Sequence, residues 1–285
     1  MSLVIIRTVL IVCLGLSILN GFTYPLHCQD QNVIAVVPPF MDRQHSDEFE
    51  SSLQLTQQRF AIFIYRNAAI VYSEADFVNN GQDSMTMELA LPSTGYQEKN
   101  GTEIPYISNG ILSVQMWIAG ERAEPEVLEE SDIEWYAINA MFPPSVVTKV
   151  KALFWVQTSL TDVDSIPGLD TVKIRDGKRG FLLNLSKAAI WNDNIGSLDV
   201  AVVFKEGLTP NDTLDANPDN YEVGDSTISW TMRDIEPSTD DNIDLYYNSA
   251  VKRKSRMDTM KKLSRFNISR GYDDVLNYVR QLDEE

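Results

Sequence analysis

The sequence predicts a mainly β protein, an antiparallel β-sandwich with a short helical segment at its C-terminus. Three observations predict it. Apolar and polar residues alternate with period two after Leu53, as at Met85, Met87, Leu89 and Leu91. Turn-forming clusters punctuate these runs, among them Asn79-Asn80-Gly81-Gln82-Asp83, Pro143-Pro144 and Pro167-Gly168. Helical periodicity is confined to the residues after Val251. The strands make either one sandwich or two sandwich-like halves.

Residues 1–28 have the layout of an export signal: Arg7 in a short head, an apolar core from Thr8 to Leu19, then polar sequence. The stretch from Leu3 to Phe22 is just long enough to span a bilayer, so removal and an uncleaved anchor are both open. Cleavage after Cys28 would leave Gln29 as the new N-terminus. Lipidation at Cys28 is a third course, against which stands Pro25-Leu26-His27, lacking a small residue before the cysteine. The expected location is outside the cytoplasm, with no membrane span after cleavage.

Residues 29–52 form an N-terminal extension, with an apolar run at 32–37 and a polar loop at 40–52. A first β half covers 53–160. Its strands at 59–65, 68–78 and 84–91 have short connections, and read as an antiparallel meander. Residues 93–109 read as a polar loop. Strands follow at 110–118, 133–141 and 146–158, with an acidic stretch at 121–132 between the first two. In the last strand Val150, Ala152, Phe154 and Val156 make one face, while Lys149, Lys151 and Gln157 fall on the other. A second half, 166–250, packs with the first and has strands at 171–174, 180–185, 188–191, 198–204, 226–232 and 243–247. The tail, 251–285, is basic and amphipathic. Met257, Met260, Leu263 and Phe266 mark one helix, Gly271 interrupts, and Tyr272, Val275, Leu276, Val279 and Leu282 mark a second.

Composition excludes several classes of chemistry. The formal charge is −17. Nine basic and six acidic residues follow Val251, so the preceding body holds 15 basic and 35 acidic residues. Such a body repels phosphate backbones, which argues against nucleic acid as a partner. The only cysteines are Cys13 and Cys28, and the only histidines are His27 and His45. A mature chain therefore lacks an internal disulfide, and a Ser-His-Asp or Cys-His centre would have to use His45. No cofactor motif occurs, and the sequence nominates no catalytic residue.

Three weaker constellations remain. Asp215, Asn217 and Asp219 have the alternate spacing that begins a calcium loop, but Asn220 stands where glycine is needed and Ser226 where glutamate is expected. Glycoside hydrolysis needs only two carboxylates, and Glu121, Glu124, Glu126, Glu129, Glu130 and Glu134 are candidates. Nothing singles out one acid held in an apolar pocket. Five tryptophans, Trp117, Trp135, Trp155, Trp191 and Trp230, lie inside predicted strands; core packing is their default, and stacking on sugars would need several exposed on one face. Asn-X-Ser/Thr sequons stand at Asn100, Asn184, Asn211 and Asn267.

The segments 68–81 (a strand ending in Phe77-Val-Asn79-Asn-Gly81), 87–92 (a strand ending in Pro92) and 135–143 (Trp135 ahead of a Phe142-Pro143 corner) share an order of features. In that order, over residues 55–205, the chain resembles a family of bacterial exported proteins built on β-sandwich domains. The resemblance implies an exported sandwich and supplies no catalytic motif. The reading is a non-enzymatic protein that binds a protein or glycan partner or joins a cell-envelope assembly. The alternative is a carbohydrate-binding or carboxylate-dependent glycan-cleaving module.

Overall fold

The computed structural model describes residues 35–37, 40–42, 52–66, 68–92, 95–99, 102–106, 111–130, 133–157, 178–191, 193–249 and 268–284. The strands are β1 (Ala35–Val37), β2 (Met41–Asp42), β3 (Leu53–Ile64), β4 (Ala68–Asn79), β5 (Met85–Pro92) and β6 (Gly95–Lys99). Next come β7 (Thr102–Tyr106), β8 (Ile111–Ile118), β9 (Glu121–Ala123), β10 (Glu126–Glu130), β11 (Ile133–Phe142) and β12 (Val147–Gln157). The last are β13 (Lys178–Leu183), β14 (Ile195–Phe204), β15 (Thr213–Asn217), β16 (Glu222–Val223), β17 (Thr227–Ile235) and β18 (Ile243–Asn248), before helix α1 (Ile268–Glu284).

An eight-stranded sheet in the order β16-β17-β14-β3-β4-β12-β8-β9 forms the central layer. Residues from both sequence halves share it, because β14 pairs with β3 in parallel. Two four-stranded sheets, β10-β11-β5-β2 and β1-β13-β18-β15, contribute to the core on its inner face. Period-two alternation explains the layering. Phe60, Ile62, Val71, Val150, Phe154 and Val200 point inward, against Leu89, Ile138, Phe181 and Leu245 of the smaller sheets. Complete burial of each such side chain contributes about 1.5–3 kcal/mol.

Helix α1 covers part of the opposite, outer face. Tyr272, Val275 and Val279 pack on Ala61, Phe63, Ile70, Tyr72 and Leu153. Gly271 does not interrupt this helix: it is buried within the first turn, where a Cβ would stand 2.1 Å from Ile70 Cδ1. The missing side chain lets the helix lie close to β4. The Tyr272 hydroxyl donates to the Ser113 carbonyl, 2.5 Å away. Ser113 has φ +55° at a register shift of β8, so a bulge aims that carbonyl at the helix. The expected helix around Met257–Phe266, the basic cluster before it, the residues around Cys28 and the 171–174 strand lie outside the described residues.

Four further local expectations give way. The meander stops after two strands, because β5 leaves the central sheet and pairs with β11 and β2. The corner is held by Asn79, fully buried: its amide donates to Asp83 O and Phe142 O at 2.8 and 2.9 Å and accepts from Gly81 N and Ser52 Oγ at 2.8 and 2.9 Å. Residues 95–106 contain the hairpin β6–β7 and not only loop. The acidic separator forms β9 and β10. The 188–191 segment lies not in a strand but mostly in a 3-10 helix, Leu185–Ile190. Within the core, Gln58 and Ser73 are fully buried, and neither side chain has a hydrogen-bond partner among the described residues. No helix of the described residues is long and apolar enough to cross a membrane.

Candidate functional site

Residues directly opposite in a ladder share a face of the sheet. Following the register outward from Glu74 on β4 gives one row across seven strands. Thr231 pairs with Asp199, Asp199 with Arg59 and Arg59 with Glu74. Glu74 then pairs with Lys151, Lys151 with Trp117 and Trp117 with Arg122. A second row runs Arg233, Ser197, Gln57, Asp76 and Lys149. Both rows lie on the outer face, beside the apolar area that α1 covers, because Tyr72 precedes Glu74 by one outward position on β4.

Glu74 is the buried centre of these rows, its side chain only 7% exposed. It accepts from Lys149 Nζ at 2.6 Å and Lys151 Nζ at 3.0 Å, and from the Tyr72 hydroxyl. Lys149 also reaches Asp76 at 3.5 Å, and Lys151 stands 5.9 Å from the centre of the Tyr72 ring. Burial alone would raise the Glu74 carboxyl, but the hydrogen bonds from Lys149, Tyr72 and Lys151 bring it down to about 2. Burial likewise opposes the charge on Lys149, and the Glu74 contact reverses the effect and raises it. Both shifts favour the charged forms, Glu74 negative and Lys149 positive.

The basic side chains are segregated. Eight lie in the described strand body with their surroundings defined: Arg59, Arg66, Arg122, Lys149, Lys151, Arg179, Lys205 and Arg233. Six of the eight are on the outer face, five in the two rows and Lys205 with its ammonium 4.3 Å from the centre of the Phe63 ring. Asp199 accepts from Arg233 and Thr231 at 3.1 Å each, and Arg122 meets Glu124 at 3.2 Å.

The expected carboxylates lie elsewhere. Glu121, Glu124, Glu126 and Glu129 are exposed and Glu134 is half-buried, while Glu130 lies outside the described side chains. Glu124 and Glu126 join Glu88 and Asn139 around a cavity of about 180 Å³ beside β10 and β11. Asp215 and Asn217 share one face of β15, and Asp219 follows the cis Asn217–Pro218 bond, exposed. Among the described residues, no group of three or more His, Cys, Asp or Glu comes together to hold a metal ion. Trp191 and Trp230 are core residues whose ring nitrogens donate to Phe40 O at 3.2 Å and Pro218 O at 2.8 Å. Trp117 and Trp155 both lie on the outer face, each half-buried against the helix-side cluster, and Trp135 is half-buried on β11. Of the sequons, Asn184 is buried and Asn211 exposed.

One acid with a raised proton affinity escaped the sequence reading. Asp244 on β18 stands opposite Asn217 and diagonal to Asp215. Burial, and then the Asp215 charge, push its carboxyl up to about 6. Tyr246 beside it is pushed up to about 12 by burial and by the same two carboxylates. Its sequence signal was an aspartate within the alternation Ile243, Leu245, Tyr247, the pattern of any solvent-facing strand position.

The structure thus defines a mainly antiparallel β protein of three larger sheets and the β6–β7 hairpin, with a charged outer face. No family model matches the chain, and no curated protein matches it. Among solved structures it is similar to a Legionella pneumophila protein described as a "putative nutrient binding protein". The TM-score is 0.54 at 12% identity, over 76% of this chain and 72% of that one. It is also similar to a yeast leukotriene A4 hydrolase, with a TM-score of 0.41 at 10% identity over 71% of this chain and 31% of that one. An M1 zinc metallopeptidase from Deinococcus radiodurans gives 0.37 at 10% over 70% and 43%. The chain spans less than half the length of these two enzymes. The Legionella likeness shows a shared fold.

Proposed function

We propose that this chain is an exported, non-enzymatic binding protein whose working surface is the outer face of the central sheet. One observation carries the reading: six of the eight described basic side chains of a strongly acidic body gather on that face. Scattered cations would be ordinary surface; here five cations against the three carboxylates Glu74, Asp76 and Asp199 leave the two ladder rows net positive within an acidic body, a surface suited to negative charge. The central carboxylate of the rows is buried and already neutralised by two lysines, so it presents little charge to a partner. A binding role is also what the words attached to the Legionella protein name, although the likeness between the two is one of fold. The alternative, glycan binding, draws on Trp117, which lies between Lys151 and Arg122 in the same row.

Titration of the full chain with polyglutamate at low salt tests the surface. Saturable binding is expected, weakening as salt rises. The variant Arg122→Glu/Arg233→Glu, altered only at two side chains 59% and 55% exposed, should abolish it while melting like the parent. Equal binding by parent and variant would remove the outer face from consideration. Turnover on a hydrolase panel, lost on substituting one carboxylate, would overturn the non-enzymatic reading.

A further inference from the structure

We propose that the inner face of the central sheet carries an internal water site, where ordered water is held jointly by the Gln58 amide and the Ser73 hydroxyl. The site lies across the sheet from the charged rows and does not depend on them.

Gln58 on β3 and Ser73 on β4 are both 0% exposed. Neither atom of the Gln58 amide, nor the Ser73 hydroxyl, has a hydrogen-bond partner among the described residues. A buried amide with both atoms unpaired is uncommon in a folded protein, because each unmade bond leaves the cost of desolvation uncompensated. Asn79, an equally buried amide at the far end of β4, shows the ordinary outcome: its side chain bonds Asp83, Phe142, Gly81 and Ser52. The ladder also makes Gln58 and Ser73 neighbours. Gln58 stands opposite Ala75 and Ser73 opposite Phe60, so the two are diagonal on adjacent strands, within reach of a long side chain. A bulge at Thr56 sets this placement, putting Gln58 in phase with Phe60, Ile62 and Ile64 on the inner face. The bulge is itself accommodated. Thr56 Oγ1 donates to Asp76 O at 3.0 Å, and a Cβ on Gly196 would stand 2.8 Å from Thr56 O.

The surroundings choose the ligand. The ladder partners of the pair are Leu198, Ala75, Phe60 and Ala152, and the next positions out, Met232, Val200 and Val150, are buried and apolar as well. An ion bound there would be stranded without a counter-charge. A neutral amide offers two donors and an acceptor, and a hydroxyl offers one donor with acceptor capacity. Water matches that mixed set in the least volume, and two of the partners, Ala75 and Ala152, are small. Buried waters make about three hydrogen bonds to groups of this kind.

A high-resolution crystal structure of the full chain tests the site. Density of the size of water is expected at hydrogen-bond distance from both the Gln58 amide and Ser73 Oγ. Gln58→Leu/Ser73→Ala should lose that density while the backbone of β3 and β4 keeps its register. If this variant fails to fold, the parent structure decides alone. A direct hydrogen bond between Gln58 and Ser73, density touching only one of them, density larger than water, or a dry interior each overturns the proposal. Density that persists in the double variant overturns its assignment to these two side chains.

Discussion

Two carboxylates withdrawn from water, on two different sheets, shift in opposite directions. Glu74 on the central sheet lies among two lysines and a tyrosine hydroxyl, and its carboxyl falls to about 2. Asp244 on the smaller sheet lies near a second aspartate, and its carboxyl climbs to about 6. Desolvation is the largest single influence on both and acts in the same direction. What differs is the cross-strand neighbour: donors beside Glu74, like charge beside Asp244. The first site spends its burial on holding charge; the second carries a cost that shrinks as the proton returns. The pH dependence follows with opposite signs. The stabilising contribution of Glu74 is full above its unfolded value of about 4.5 and is lost as pH falls through about 2. For Asp244 the folded value lies above the unfolded 3.8, so its site is least costly below 3.8 and the penalty is complete once pH has risen through about 6.

The largest expected effect comes from stripping Glu74 of its partners. Lys149→Met/Lys151→Met leaves a buried carboxylate uncompensated, and should lower stability by about 3–5 kcal/mol at pH 7. Adding Glu74→Gln to that pair should recover much of the loss, which urea denaturation of the three proteins would show. A loss under about 1 kcal/mol in the double variant would mean that solvent already serves Glu74, and the contrast with Asp244 would collapse. The second effect has the opposite sign. Asp244→Asn should raise stability by about 1–3 kcal/mol at pH 8, from a shift of about two pH units at about 1.4 kcal/mol each, reduced by partial exposure. The gain should vanish below pH 4. A gain that persists there would assign the effect to packing and not to charge.

How much of this was legible in the sequence depends on the range of the contact. The face that carries Lys149 and Lys151 was readable, because alternation against Val150, Ala152, Phe154 and Val156 spans a few residues. Their partner was not, since Glu74 lies 75 residues away from Lys149 and only the register of β4 with β12 joins them. The spacing of Asp215 to Asn217 and Asp219 is visible in the sequence, while the acid it acts on, Asp244, belongs to another strand. The departure of β5 was hidden for a different reason. Asn79-Asn80-Gly81 satisfies the chemistry of a hairpin turn, yet the Asn79 side chain turns inward and ties two sheets together. Gly271 reads as a break in the sequence because a glycine usually weakens a helix by about 1 kcal/mol. Here the sheet beneath it leaves no room for a Cβ.

Two smaller changes sharpen the comparison without dismantling either site. Tyr72→Phe removes one of the donors to Glu74 and keeps both lysines. The expected cost is about 1 kcal/mol at pH 7, with acid unfolding beginning at higher pH because the carboxyl moves back toward its ordinary range. Asp215→Asn is the counterpart on the other sheet and the smallest effect, a few tenths of a kcal/mol up to about 1. It takes away the like charge and leaves the burial of Asp244 in place, so the Asp244 carboxyl should fall below about 6 without reaching its ordinary value. Side-chain carboxyl titration by NMR in the Asp215→Asn protein measures this directly. A full return would make the neighbouring charge, and not burial, the main cause. An unchanged value would leave burial as the whole cause, and the two carboxylates would then differ only in what surrounds Glu74.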